Sequence, residues 1–203
     1  MAKHFLLIVL GLTVVIAVAA AADNFDTIKK QLTEADCVRL EFVSIIESEV
    51  FDLVDSAYGA ACLASDGRYH VTIGQDVYLY DGALLHSFSY ESNQVTLEKL
   101  DDKIDHSQEI TFLTRLDELY ETHPLPTRNS YQLRRRPGAE GDLPDSLTAV
   151  VGGDPPVIQH LEFYDINDDF NRLELFNQRL DSACTDDDFR PAFPDSAETV
   201  KLF

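Results

Sequence analysis

The side chains able to do chemistry in this sequence are scattered. Five histidines follow the N-terminal apolar run: His70, His86, His106, His123 and His160. None stands at i, i+4 from another, the spacing by which a helix offers two imidazoles to zinc. His86 and His160 fall within apolar stretches, where a half-buried imidazole satisfied by a neighbour is the simpler reading. No glycine-rich loop could cradle a phosphate, no G-x-S-x-G turn could raise a serine, and no cysteine pair has metal-ligand spacing. The nearest approach to a metal motif is "DINDDFNRLELF" from Asp165. Asp165, Asn167 and Asp169 occupy the first, third and fifth positions of a calcium loop. Phe170 then stands where glycine is required and Phe176 where a bidentate glutamate belongs. The stretch reads instead as a polar hairpin turn, and "CTDDDF" (184–189) as a solvated acidic one. No metal, cofactor or covalent chemistry is expected, so the chain reads as a binding protein and not an enzyme.

The N-terminus suggests where such a protein works. Lys3 and His4 precede the unbroken apolar run 5–22, which ends in alanines before the polar "DNFDTIKK". A charged start, an apolar stretch and a small-residue exit are the parts of a secretory signal peptide, here residues 1–22, with cleavage expected near Ala22–Asp23. The alternative is a retained anchor, since the run approaches spanning length. The mature chain, 23–203, is then one domain. Removing Lys3 carries the formal charge one unit beyond the −20 of the whole sequence. Such acidity argues against nucleic acid and anionic membrane surfaces as partners. Arg134-Arg135-Arg136, the one basic run, reads as a solvated strand end. Cys37, Cys62 and Cys184 remain after export, and an oxidising compartment permits one bridge with one thiol left over. We expect Cys37–Cys184, tying the first strand to the C-terminal segment, although spacing alone does not fix the pairing.

The elements are mostly strands. Phe25, Ile28 and Leu32 have helical spacing and predict a short amphipathic helix over 25–36. Periodicity then drops to two, with Val38, Leu40 and Phe42 alternating with Arg39 and Glu41. Further strands are expected near 58–64, 68–73, 76–81, 83–90 and 93–99. "ITFLTRLDELYETH" (110–123) predicts a second helix halted by Pro124. Strands near 129–136, 145–151, 157–166 and 171–180 follow, and the tail from Phe189 is expected along the sheet edge. About ten antiparallel strands and two helices make a mainly β (α+β) fold, one strongly curved sheet or partial barrel plugged at one opening by the helices.

Around Asp81-Gly82, a strong hairpin signal, both parities are apolar: Leu79 and Leu84 on one, Tyr78, Tyr80 and Leu85 on the other. One of them lines either a cavity or a filled core. A two-residue turn at Gly74-Gln75 would set Tyr69 and Val71 beside Tyr78 and Tyr80, and a longer loop would reverse this.

In order, the first helix with "CVRLEFVS", then "YGAACLASDGRYHV", "VYLYDGALLHSFSYESNQVTL", the mid-chain helix, "VIQHLEFYDINDDFNRLELFNQ" and "FRPAFPDSAETVKL" resemble the LolA-type periplasmic outer-membrane lipoprotein carriers, as a divergent member. The resemblance spans essentially the whole mature chain. It implies an unclosed, LolA/LolB-like β-barrel lidded by short helices around an apolar cavity for lipoprotein acyl chains. Its implied partners are acylated lipoproteins, an inner-membrane ATP-driven exporter and an outer-membrane acceptor, with the chain itself a periplasmic monomer. The expected lining is Leu40, Phe42, Leu63, Tyr69, Val71, Leu79, Leu84, Phe88, Phe112 and Leu116. Two departures stand out. Ser65-Asp66 replaces an Arg-Pro whose arginine pins the lid in the family, leaving Arg68 as the nearest arginine. His86 stands where a tryptophan is expected. The alternative function is a lipid- or lipoprotein-sensing regulatory module on the same fold; a hydrolase built from scattered Asp and His is a third reading.

Overall fold

A computed structural model of the chain describes residues 25–100, 110–139, 143–180 and 183–203. Residues 1–22, expected to be a signal peptide, and His106 lie outside the described residues. A helix over 25–34, α1, precedes β1 (Cys37–Ser48), β2 (Leu53–Ala64), β3 (Tyr69–Ile73), β4 (Asp76–Tyr80), β5 (Leu85–Ser89) and β6 (Gln94–Glu98). A 3-10 turn at Thr111–Arg115 runs into the one-turn helix α2 (Leu116–Leu119). Then come β7 (Tyr120–Pro124), β8 (Ser130–Arg135), β9 (Ser146–Gly152), β10 (Val157–Tyr164), β11 (Phe170–Arg179) and β12 (Glu198–Lys201).

All twelve strands join one sheet in the order β12-β6-β5-β4-β3-β2-β1-β11-β10-β9-β8-β7. The sheet is unclosed, with β12 and β7 as its edges. It is curled: side chains of β3 and β5 meet those of β8 and β9 in one core built around the helices. Neighbours pair antiparallel except β12, which adds to β6 in parallel. The tail therefore does follow the sheet edge, but as a twelfth strand that makes the sheet mixed.

Two elements differ from the sequence reading. The mid-chain helix ends at Leu119, and Tyr120–Pro124 becomes β7 on the edge of β8. Pro124 disfavours helix in the residue before it, and β8 offers Tyr120 and Thr122 a partner that a helix would forgo. The β1–β2 hairpin also runs further than the alternation suggests, carrying exposed Val50, Phe51 and Val54 at its tip.

Turn chemistry sets the register. The turn between β3 and β4 is the two-residue one, with Gly74 at φ +59° and Ile73 opposite Asp76. Tyr69 therefore faces Tyr80 and Val71 faces Tyr78. In the β10–β11 turn the Asp165 carboxylate accepts the backbone N–H groups of Asn167 (2.8 Å) and Asp169 (3.1 Å), a use within its own hairpin. The arginine run folds back on the protein. Arg135 donates to the carbonyls of Ala139 and Leu143, and Arg136 to the carbonyl of Asp117.

The outer face is covered by the chain's own end. Cys184 is disulfide-bonded to Cys37, joining β1 to the segment beyond β11 across a sequence separation of 147. Arg39 Nη2 donates to Asp188 Oδ2 at 2.7 Å, and His70 Nδ1 donates to the Asp188 carbonyl at 3.0 Å. Arg68 pairs with Asp66 and Asp186 and lies 4.7 Å from the centroid of the Phe189 ring. Further on, Phe193 stacks against His86 and Phe88. This strap, 183–197, crosses from β1 to the far edge and ends as β12.

The Arg39 guanidinium, with the N–H and hydroxyl of Thr185, holds the Asp188 carboxyl down at about 2. An unfolded aspartate titrates near 3.9, so between pH ~4 and ~2 the unfolded chain binds a proton that the folded chain refuses. The stability from this group is complete above pH ~4 and is lost as pH falls through that window. In Asp188→Asn, the fall of the urea midpoint between pH ~5 and pH ~2.5 should be smaller than in the wild type. An unchanged fall would show that the contact adds nothing to acid stability.

Candidate functional site

The inner face is the candidate site, an apolar surface built by strand alternation. In β1, Val38, Leu40 and Phe42 are buried, while Arg39 and Glu41 point to the outer side with Cys62 and Thr72. β2 adds Ala61 and Leu63, β3 Tyr69 and Val71, and β4 the half-buried Tyr78 and Tyr80. The other wall comes from Tyr131, Leu133, Leu147, Ala149, Leu161, Leu173 and Leu175. Burial of these groups removes apolar area from water, at about 25 cal/mol per Å².

Two short helical pieces lie in this trough. Phe25, Ile28 and Leu32 of α1 are 0–2% exposed, and the Phe25 ring stacks on Tyr131 with centroids 4.6 Å apart. Phe112, Leu113, Leu116 and Leu119 enter from the second piece, and Phe112 packs against Tyr120. The pieces are fastened to one another. Lys29 Nζ lies 2.6 Å from Asp117 Oδ1 and 3.0 Å from Asp26 Oδ1, with only 7% of the residue exposed. Burial works against its charge, and the hydrogen bonds and charges of Asp117 and Asp26 outweigh it, so its pKa stands above the ordinary lysine value.

The trough thus brings together Leu40, Phe42, Leu63, Tyr69, Val71, Phe112 and Leu116 of the expected lining. Three expected residues lie elsewhere. Leu79 pairs with His86, and Phe88 with Val77, on the outer face under Phe193. Leu84 sits half-buried in the Asp81 turn, its N–H held by the Asp81 carboxylate at 2.9 Å. The physical reason is parity: with the two-residue turn at Gly74, Leu79 falls opposite His70 and not opposite Tyr69. The second apolar face of this hairpin answers to the strap. His86, in the place of an expected tryptophan, also hydrogen-bonds Asp81 at 2.9 Å. Arg68 is an outer-face residue, so the fastening inside the trough is the Lys29–Asp117 pair, which lay outside the sequence reading. The far wall from β8 to β11 was also missed as lining, although its alternation marked those strands.

Among the described residues, helix and sheet side chains pack against one another in one apolar core. A cleft opens on the outer side. It measures about 200 Å³ and is lined by Arg39, Glu41, Cys62, His70, Thr72 and Arg179 among others. It sits beside a bulge where Asn177, at φ +51°, donates to Glu41 at 2.7 Å.

Fold and site together define a curled, unclosed sheet whose apolar inner face is covered by two small helical pieces. No family model matches the chain, and no curated protein does. Solved structures do match along most of its length. An uncharacterized conserved protein from Thermus thermophilus has 12% identity and a TM-score of 0.47, covering 90% of this chain and 99% of its own. A LolA superfamily protein from Nitrosomonas europaea has 10% identity and a TM-score of 0.45, over 84% of this chain and 97% of its own. A putative outer membrane lipoprotein-sorting protein domain from Vibrio parahaemolyticus has 9% identity and a TM-score of 0.43, over 79% and 92%. No helix among the described residues is long and apolar enough to cross a membrane.

One position tests the packing of the trough wall. Gly59 lies opposite Phe42, and a Cβ there would stand 2.3 Å from the ring. The ring has to leave its place if the side chain grows. Gly59→Val should lower stability by about 1–3 kcal/mol in urea unfolding. A loss within ~0.5 kcal/mol would mean that Phe42 repacks freely.

Proposed function

We propose that the protein is a carrier of acyl chains, taking the lipid moiety of lipoproteins in the trough now filled by α1 and the 111–119 segment. The observation that supports this is the nature of the stopper. It consists of short helices whose contacts with the sheet are apolar side chains, joined to each other by Lys29–Asp117. An acyl chain offers the sheet the same kind of contact. Burying a methylene is worth about 0.8 kcal/mol, so a chain of ~16 carbons resists water by on the order of ten kcal/mol. The wall residues Leu40, Phe42, Leu63, Tyr69 and Val71 supply apolar surface of that quality once the helices swing aside. The ordered sequence resemblance to the LolA-type carriers supports the same reading.

On this reading the segment 1–22 exports the chain to the periplasm, and an ATP-driven exporter of the inner membrane loads it. An outer-membrane acceptor unloads it. The protein itself performs no covalent chemistry and works as a monomer.

The test is direct binding of a fluorescent triacylated lipopeptide to the purified mature protein. Saturable binding, displaced by unlabelled lipopeptide, is the expected result. Asp117→Asn, which removes one of the two charges facing Lys29 and so loosens α1 from the second helical piece, should speed uptake about five-fold, the effect of losing ~1 kcal/mol. No saturable binding would overturn the proposal. Recovery from periplasm of a single regulatory protein, without acylated lipoproteins, would favour the sensing module instead.

A further inference from the structure

On the outer face, three sulfurs lie together. Cys37 and Cys184 are bonded, and the free thiol of Cys62 is 3.4 Å from Cys184 Sγ and 3.8 Å from Cys37 Sγ. A buried structural disulfide needs no third cysteine, and this thiol touches both of its sulfurs from beside the bond, so that a turn of Cys184 about its own side chain would bring Cys62 into line for attack. We propose that the three residues form a thiol–disulfide exchange site, in which Cys62 is the internal nucleophile that moves the anchor of the C-terminal strap from β1 to β2. The proposal stands on these sulfurs alone and is independent of what the trough binds.

The step balances without any oxidant or reductant. Cys62 gives its proton to solvent, and its thiolate attacks Cys184 Sγ. A Cys62–Cys184 bond forms, the Cys37–Cys184 bond breaks, and the electron pair leaves on the Cys37 sulfur, which takes up a proton. The sulfur separation of 3.4 Å has to shorten to about 2.0 Å. Cys184 is able to make that movement because it lies in a stretch without helix or strand, just ahead of the 3-10 turn Asp186–Phe189.

The other exchange, Cys62 onto Cys37, is disfavoured by the sheet. Cys37 is opposite Ala64 and Cys62 opposite Arg39, so the two cysteines are diagonal neighbours on adjacent strands. Diagonal pairs stand about 7–8 Å apart, beyond the usual Cα span of a disulfide, about 4.4–6.8 Å. Backbone hydrogen bonds of β1 and β2 resist closing that gap. Cys184 belongs to no strand, so no ladder of that kind holds it.

The surroundings suit a slow, conditional exchange. Burial pushes the Cys62 thiol up, while the charge of Arg39 pulls it back. The groups that face it are Arg39 from β1, His70 from β3 and Asp188 from the strap, with Arg179 from β11 across the same cleft. That cleft of about 200 Å³ gives water a path to the thiol. Arg39 is engaged by Asp188, which sits on the segment whose anchor would shift.

The experiment uses the oxidised mature protein without denaturant. It is held at pH ~9.5, above the ordinary thiol range because burial has pushed Cys62 up, then quenched in acid, unfolded and alkylated with a maleimide at low pH. Peptides are mapped by mass spectrometry without reduction. The expected result is label on both Cys62 and Cys37, with about a tenth or more on Cys37 and a matching Cys62–Cys184 peptide. Label confined to Cys62, or shared with Cys184 in place of Cys37, would overturn the assignment. Cys37→Ser gives a second reading. A Cys62–Cys184 bond with no free thiol is expected, and two free thiols in the folded variant would count against the site.

Discussion

A sheet that is apolar on both faces must be covered twice, and every other feature of this molecule follows from that constraint. Among small β proteins one greasy face and one wet face is the economical arrangement. Here β4 and β5 put Tyr78, Tyr80 and Leu85 on the inside and Leu79, His86 and Phe88 on the outside. The helical pieces cover the first set. The strap covers the second, with Phe193 over His86 and Phe88 and Phe189 beside Arg68.

The two covers are held by different physics. The strap is tied at one end by a disulfide and at the other by β12, with the Arg39–Asp188 and Arg68–Asp186 pairs between them. Closing so long a loop removes, in the chain-entropy account, on the order of 5 kcal/mol of freedom from the unfolded chain. The inner cover has apolar contact and the Lys29 ion pairs. Exposed ion pairs are worth little, but Lys29 is buried, so its charge depends on keeping Asp26 and Asp117 close.

How far the sequence is legible follows the same division. Alternation located β1, β3, β5 and β8 to β11, but it left two registers of β3 on β4 open at Gly74-Gln75, and the two-residue turn of the structure decides between them. Alternation does not say which parity is inside, because Leu79 and Tyr80 are equally apolar. That choice was made by Phe189 and Phe193, in a proline-containing tail with no periodicity, so Leu79 and Phe88 were assigned to the wrong face. Residues 120–123 read as helix because Leu116, Leu119 and Tyr120 share a stripe; only β8, distant in sequence, makes them a strand. The Lys29–Asp117 fastening was equally hidden, since an ion pair between two helical pieces leaves no spacing to find. The three-sulfur cluster needed the β1–β2 register, which sets Cys62 diagonal to Cys37.

The magnitudes also decide how the hollow can be used. Phe25, Ile28, Leu32, Phe112, Leu113, Leu116 and Leu119 each bury a large side chain, worth about 1.5–3 kcal/mol apiece, or on the order of 15 kcal/mol together. Lifting both pieces into water would cost as much as a whole domain is usually stable by. The trough therefore does not gape open by itself to any useful extent. An incoming apolar chain that takes the place of the helices residue by residue returns most of that energy as it is spent, and on the proposed reading loading is displacement. A partner that grips the released helices would lower the remaining barrier, and letting them go would drive the cargo out again.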